Sequence, residues 1–138
     1  MDLKLARCFL TIDDHDKALA FYRDVLGFEV RRDVEADGVR RVSVSPPSQP
    51  DLEIVLETAG ADLNTSPADR QVIAELMAKG ALSRAVFTTP DCDATFERIL
   101  ASGAEVMQEP MDQPDGVRDC VFRDPAGNLL RFNQPRTA

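Results

Sequence analysis

Apolar and polar positions alternate through residues 4–12, a stretch rich in Leu, Phe, Thr and Ile, and predict a β-strand. The period then changes. Asp13 or Asp14 is placed to cap a helix in which Ala18, Phe21, Tyr22 and Val25 recur at helical spacing, and Gly27 ends it. Phe28 to Val34 reads as a strand, Asp37-Gly38 as a hairpin turn and Val39 to Ser45 as the partner strand. After the loop Pro46-Pro47-Ser48-Gln49-Pro50, a further strand is predicted from Leu52 to Glu57. The first part of the chain is therefore a βαβββ unit.

Residues 58–81 read as a connector. Ser66-Pro67-Ala68-Asp69 starts a helix with a cap, an early proline and an acid near the dipole. Val72, Ile73, Leu76 and Met77 form its apolar stripe, and Gly80 is a plausible stop. The βαβββ pattern then returns: strand 82–89, helix from Asp91 to about Ser102, and strands near 104–109, 117–123 and 129–134. Asp124-Pro125-Ala126-Gly127-Asn128 turns the last hairpin, and Pro110 to Gly116 is the loop expected to be most able to move.

The return is also one of residues. Leu5, Arg7, Thr11, Asp14 and Asp16 fall at a constant offset on identical Leu82, Arg84, Thr88, Asp91 and Asp93. One residue drops out inside the helix that follows the repeated strand, after which Gly27, Glu29 and Val30 meet Gly103, Glu105 and Val106. Two copies are too few for a solenoid. They suit one pseudo-symmetric α+β domain spanning 1–138, with modules at about 1–58 and 82–135 and a helical connector at 59–81.

At 138 residues the chain is long enough for one stable core. Its net charge of −8 argues against nucleic acid and anionic membrane as partners. No apolar run is long enough to span a bilayer, and no signal peptide is visible. Cys8, Cys92 and Cys120 are odd in number and fit no zinc or redox spacing, which suits reduced thiols in the cytoplasm. His15, the only histidine, lies between two aspartates and is expected to be solvated; Tyr22, the only tyrosine, is expected to pack.

Two segments carry a family resemblance: Phe21-Tyr22-Arg23-Asp24-Val25-Leu26-Gly27-Phe28 and Phe122-Arg123-Asp124-Pro125-Ala126-Gly127-Asn128. Combined with the βαβββ repeat, they resemble the vicinal oxygen chelate superfamily. That superfamily includes glyoxalase I, extradiol dioxygenases, methylmalonyl-CoA epimerase, and the bleomycin- and fosfomycin-resistance proteins. The resemblance implies two half-barrel sheets around a cavity, many members holding a divalent metal there. It also implies a homodimer, because short members commonly pair or swap modules.

In metal-using relatives, His, Gln or Glu stand on the first and last strands of each module. The matching places here are Arg7, Val55, Arg84 and Arg131. Guanidinium groups have no available lone pair and valine has no donor atom, so the resemblance implies a cavity without the family's metal and without a cofactor. Glu53 and Glu57 share the parity of Val55, and Phe9 shares that of Arg7, where it would form either a cavity wall or core. Convergence of Arg7, Arg84 and Arg131 near Glu53 and Glu57 would give an anion site or a closed salt-bridge network. The function expected is metal-independent binding of a small molecule, preferably an anionic metabolite. The alternative is a lyase, isomerase or dioxygenase with a non-standard metal site or none.

Overall fold

A computed structural model describes residues 1–59 and 65–136. Residues 60–64 of the expected connector lie outside the described residues. The first module consists of β1 (Arg7–Ile12), α1 (His15–Leu19), a π-helical continuation (Ala20–Val25), β2 (Glu29–Ala36), β3 (Val39–Ser45) and β4 (Glu53–Thr58). After α2 (Pro67–Ala78) come β5 (Arg84–Thr88), α3 (Cys92–Ala101), β6 (Val106–Asp112), β7 (Arg118–Arg123) and β8 (Leu129–Gln134). Each module makes one four-stranded sheet, ordered β1-β4-β3-β2 and β5-β8-β7-β6, with its first and last strands parallel.

The repeat is visible in the contacts. Asp14 caps α1 by accepting from the Lys17 amide, and Asp91 caps α3 by accepting from that of Ala94, each at 3.0 Å. Arg40 on β3 pairs with Asp16 and Asp33, while Arg118 on β7 pairs with Asp93 and Asp112. Asp16 and Asp93 therefore recur because each ties its helix to the sheet beneath. The residue extra to the first copy is also located. Asp14 to Gly27 is one residue longer than Asp91 to Gly103, and only the first helix has a π-helical segment. Its wide turn is closed by the Leu26 amide donating to the Phe21 carbonyl.

One core unites the modules. Leu10, Ile12, Val42, Val44, Ile54 and Leu56 are buried in the first, and Ile99, Cys120, Phe122, Leu130 and Phe132 in the second. Between them, Tyr22, Phe28, Phe87 and Phe132 form an unbroken aromatic series with centroid separations of 6.1, 5.4 and 5.6 Å. A buried polar staple runs beside it. Tyr22 donates its hydroxyl to Asp124 at 2.6 Å. Asp124 also accepts from the Ala126 and Asn128 amides, and the Asn128 side chain donates to the Thr11 carbonyl and accepts from Ser83. The Asp124–Asn128 turn is thus a joint between modules. Gly127 (φ +101°) is obligatory there, because a Cβ would lie 2.6 Å from the Met77 carbonyl oxygen.

The structure alters several expectations. Pro110 to Asp112 belong to β6, and a hydrogen-bonded turn spanning Gln113–Val117 follows, so the supposed loop is a short hairpin. Of the stripe on α2, only Met77 is buried, while Val72 and Leu76 are exposed. His15 is half-buried, with its Nε2 shielded and unpartnered among the described residues, not solvated.

Candidate functional site

Strand parity divides each sheet between a face packed on the helices and an open face. On the first open face the cross-strand register aligns Arg7 with Glu53 and Thr11 with Glu57. Between these pairs, Phe9, Val55, Ser43 and Arg32 form one row across β1, β4, β3 and β2. Phe9 is 51% exposed, so it is surface and not core. Arg7 stands 3.6 Å from Glu53, which also accepts from the Ser43 hydroxyl at 2.9 Å. Arg32, Arg41 and Glu57 line the same hollow, whose volume is about 130 Å³.

The second open face holds Arg84, Val86 and Thr88 on β5 beside Leu129, Arg131 and Asn133 on β8. Its dominant feature is Asp119, a buried carboxylate the sequence reading passed over. Asp119 accepts from Arg131 at 2.7 Å, from Gln108 at 2.6 Å and from Gln113 at 2.9 Å. Burial pushes its carboxyl up, but the Gln113, Gln108 and Arg131 donors outweigh burial and hold it below the usual carboxylate range. Asn133 Oδ1 is shielded here without a partner among the described residues. Arg84 and Val86 are exposed, and Arg84 makes no ion pair among the described residues.

The seven residues singled out from the sequence therefore fall into two groups. Arg7, Phe9, Glu53, Val55 and Glu57 share one open face, and Arg84 and Arg131 share the other. Among the described residues no ion pair links Arg7, Arg84 and Arg131, and the hollow that Arg7 lines includes neither of the other two, so the expected convergence is not seen among them. Ser43, Arg32 and Arg41 join the first group, and Gln108, Gln113 and Asp119 the second. Parity from Val55 could have located Ser43 only once the β3–β4 register was known.

Two larger hollows, of about 790 and 670 Å³, lie at the seams between modules. They are open, and the residues that join the modules form much of their walls, including Asp124 and Gly127 in one and Phe28 and Phe87 in the other. Tyr22 is spoken for as well. Burial and the adjacent Asp124 carboxylate push its phenol well above the ordinary value, which suits a fixed donor rather than a proton shuttle. Burial likewise pushes the Cys120 thiol, next to Cys92, up to about 12, which leaves it inert at neutral pH.

The profile of the Glyoxalase/Bleomycin resistance protein/Dioxygenase superfamily matches residues 4–132. The chain belongs to that superfamily. The protein YurT of Bacillus subtilis (strain 168), described as uncharacterized, is 29% identical over 133 residues, which cover 96% of this chain and 99% of YurT. The crystal structure of UcmS2 superposes with a TM-score of 0.89 at 32% identity, covering 98% of this chain and all of the other. TnmS3, an antibiotic binding protein from Streptomyces sp. CB03234, superposes with a TM-score of 0.74 at 26% identity and 97% coverage of both chains.

Superfamily membership raises the question of a metal. Arg7, Val55, Arg84 and Arg131, the residues expected at the family's ligand places, supply no available lone pair. Among the described residues no group of three or more His, Cys, Asp and Glu side chains is arranged to hold a metal ion. These four side chains would not ligate the family's ion.

Proposed function

We propose that this protein binds a small anionic molecule without a metal ion, and that its role is sequestration rather than catalysis. The reading is carried by three guanidinium groups and a valine, Arg7, Arg84, Arg131 and Val55, at the places where the family resemblance puts metal ligands. Guanidinium forks grip carboxylates and phosphates, whereas superfamily chemistry on vicinal oxygens leans on a metal as Lewis acid. The likeness to an antibiotic binding protein supports binding as the role.

The site is incomplete in one chain. A hollow of about 130 Å³ is small against the several hundred Å³ typical of drug-sized ligands. A homodimer that sets the first open face of one copy against the second open face of its partner would enlarge it. It would also bring Arg7 near the partner's Arg84 and Arg131. Among the described residues no helix is long and apolar enough to cross a membrane, and the reduced, unpaired thiols agree with a cytoplasmic protein. An enzyme with a non-standard metal site remains the second reading, favoured only by the carboxylates Glu53 and Glu57 on the first open face.

Thermal melts compare these readings. Carboxylates, phosphates and CoA thioesters should stabilise the protein and cationic glycopeptides should not; a ligand at 100 times its Kd adds about 2.7 kcal/mol. Arg84→Ala should weaken an anionic hit by about 1.5–3 kcal/mol. Zn, Ni, Mn and Fe(II) should leave the melt unchanged. Stoichiometric metal that is lost in Glu57→Ala would transfer the argument to the enzyme.

A further inference from the structure

We infer that the ligand's acid group is read by Arg32 and Arg41, on the adjacent strands β2 and β3 of the first module, while its apolar body lies on Phe9 and Val55. The ligand class is thus a small aryl or similarly compact organic carboxylate. This deepens the proposed anion-binding function and rests on it.

Commitment of the other charges carries the argument. Arg131 is held at 2.7 Å by Asp119, whose carboxylate is almost fully shielded, so its charge is already balanced within the chain. Arg7 faces Glu53. Arg32 and Arg41 make no ion pair or side-chain hydrogen bond among the described residues, yet both line the hollow that Phe9 and Val55 also line. Once Arg7 is set against Glu53, and Arg40 against Asp16 and Asp33, two guanidinium groups are left beside the single carboxylate of Glu57. The hollow is therefore locally cationic in a chain whose net charge is −8. The row Phe9-Val55-Ser43-Arg32 also has polarity along its length, apolar over β1 and β4 and cationic at β2. An amphipathic anion matches that order of groups. The volume of about 130 Å³ suits a body of about one ring.

The test titrates benzoate, benzylammonium and acetate into the full-length protein at fixed ionic strength, followed by amide chemical shifts. Benzoate should bind most tightly, with shifts centred on β1 to β4. Arg32→Gln and Arg41→Gln should each weaken it about tenfold, as expected for loss of one charge-assisted bond. Arg41→Lys should retain part of the affinity, and Phe9→Ala should weaken benzoate more than acetate. Benzoate affinity unchanged in both glutamine variants but lost in Arg84→Ala would overturn this inference and leave the broader anion-binding reading standing. A preference for benzylammonium would overturn both. Absence of binding by all three probes would overturn the aryl-carboxylate assignment.

Discussion

A carboxylate that is almost fully buried needs donors, and Asp119 has three. Because they hold its folded pKa below that of an unfolded aspartate, about 3.9, Asp119 favours the native state at neutral pH. That contribution is complete above the unfolded value and is lost as pH falls through the lower folded value. Asp119→Asn should therefore cost about 1–3 kcal/mol at pH 7 and less near pH 3, below the unfolded value, measured by urea unfolding at both. An equal cost at the two pH values would show that the carboxylate's charge is irrelevant. The sequence gives little hint of this residue. Its partners sit on β6, in the following turn and on β8, and only the assembled register brings them together. By contrast, Glu53, Val55 and Glu57 share a face by parity alone, and Phe9 and Arg7 join them once β1 pairs with β4.

At the scale of elements, the staple between modules explains why Tyr22 and the Asp124–Asn128 turn were the segments that carried the family resemblance. They are structural. Tyr22→Phe removes one donor to Asp124 and should cost about 1.5–3 kcal/mol. Asn128→Ala should cost at least as much, because it strands the Thr11 carbonyl and the Ser83 hydroxyl together. Chemical denaturation should show both losses, with ligand affinity unchanged in whatever fraction remains folded. A large affinity loss in Tyr22→Phe would instead place that phenol in the binding chemistry. The elements themselves were legible, since caps, hairpin turns and alternation are local signals. β3 and β8 occur at the expected residues, while β2 runs on to Ala36 and β6 to Asp112. Those ends escape a sequence reading because cross-strand pairing, not local composition, decides where a strand stops. The one-residue difference between the copies was visible too, though not its form as a π-helical turn.

For the whole molecule, the unresolved balance is apolar surface. Phe9, Val34 and Val86 are 51%, 50% and 59% exposed on the open faces, and Val72 and Leu76 lie uncovered on α2. The sequence marked α2 as amphipathic, and its stripe finds almost no partner within one chain. A second copy would supply one, and symmetric dimers are the commonest oligomers. Because the three arginines sit on two separate faces, pairing is also the way they could meet. Sedimentation equilibrium at micromolar concentration should therefore give twice the monomer mass of 15.2 kDa. Val86→Glu, placed on an exposed strand position where folding tolerates charge, should shift the population toward monomer and weaken anion binding in parallel. If Val86→Glu gives a folded monomer that binds anions as tightly as the parent, each chain carries a complete site. If the parent itself sediments only as a 15 kDa species, the dimer is excluded at those concentrations, and the open faces must be covered by ligand alone.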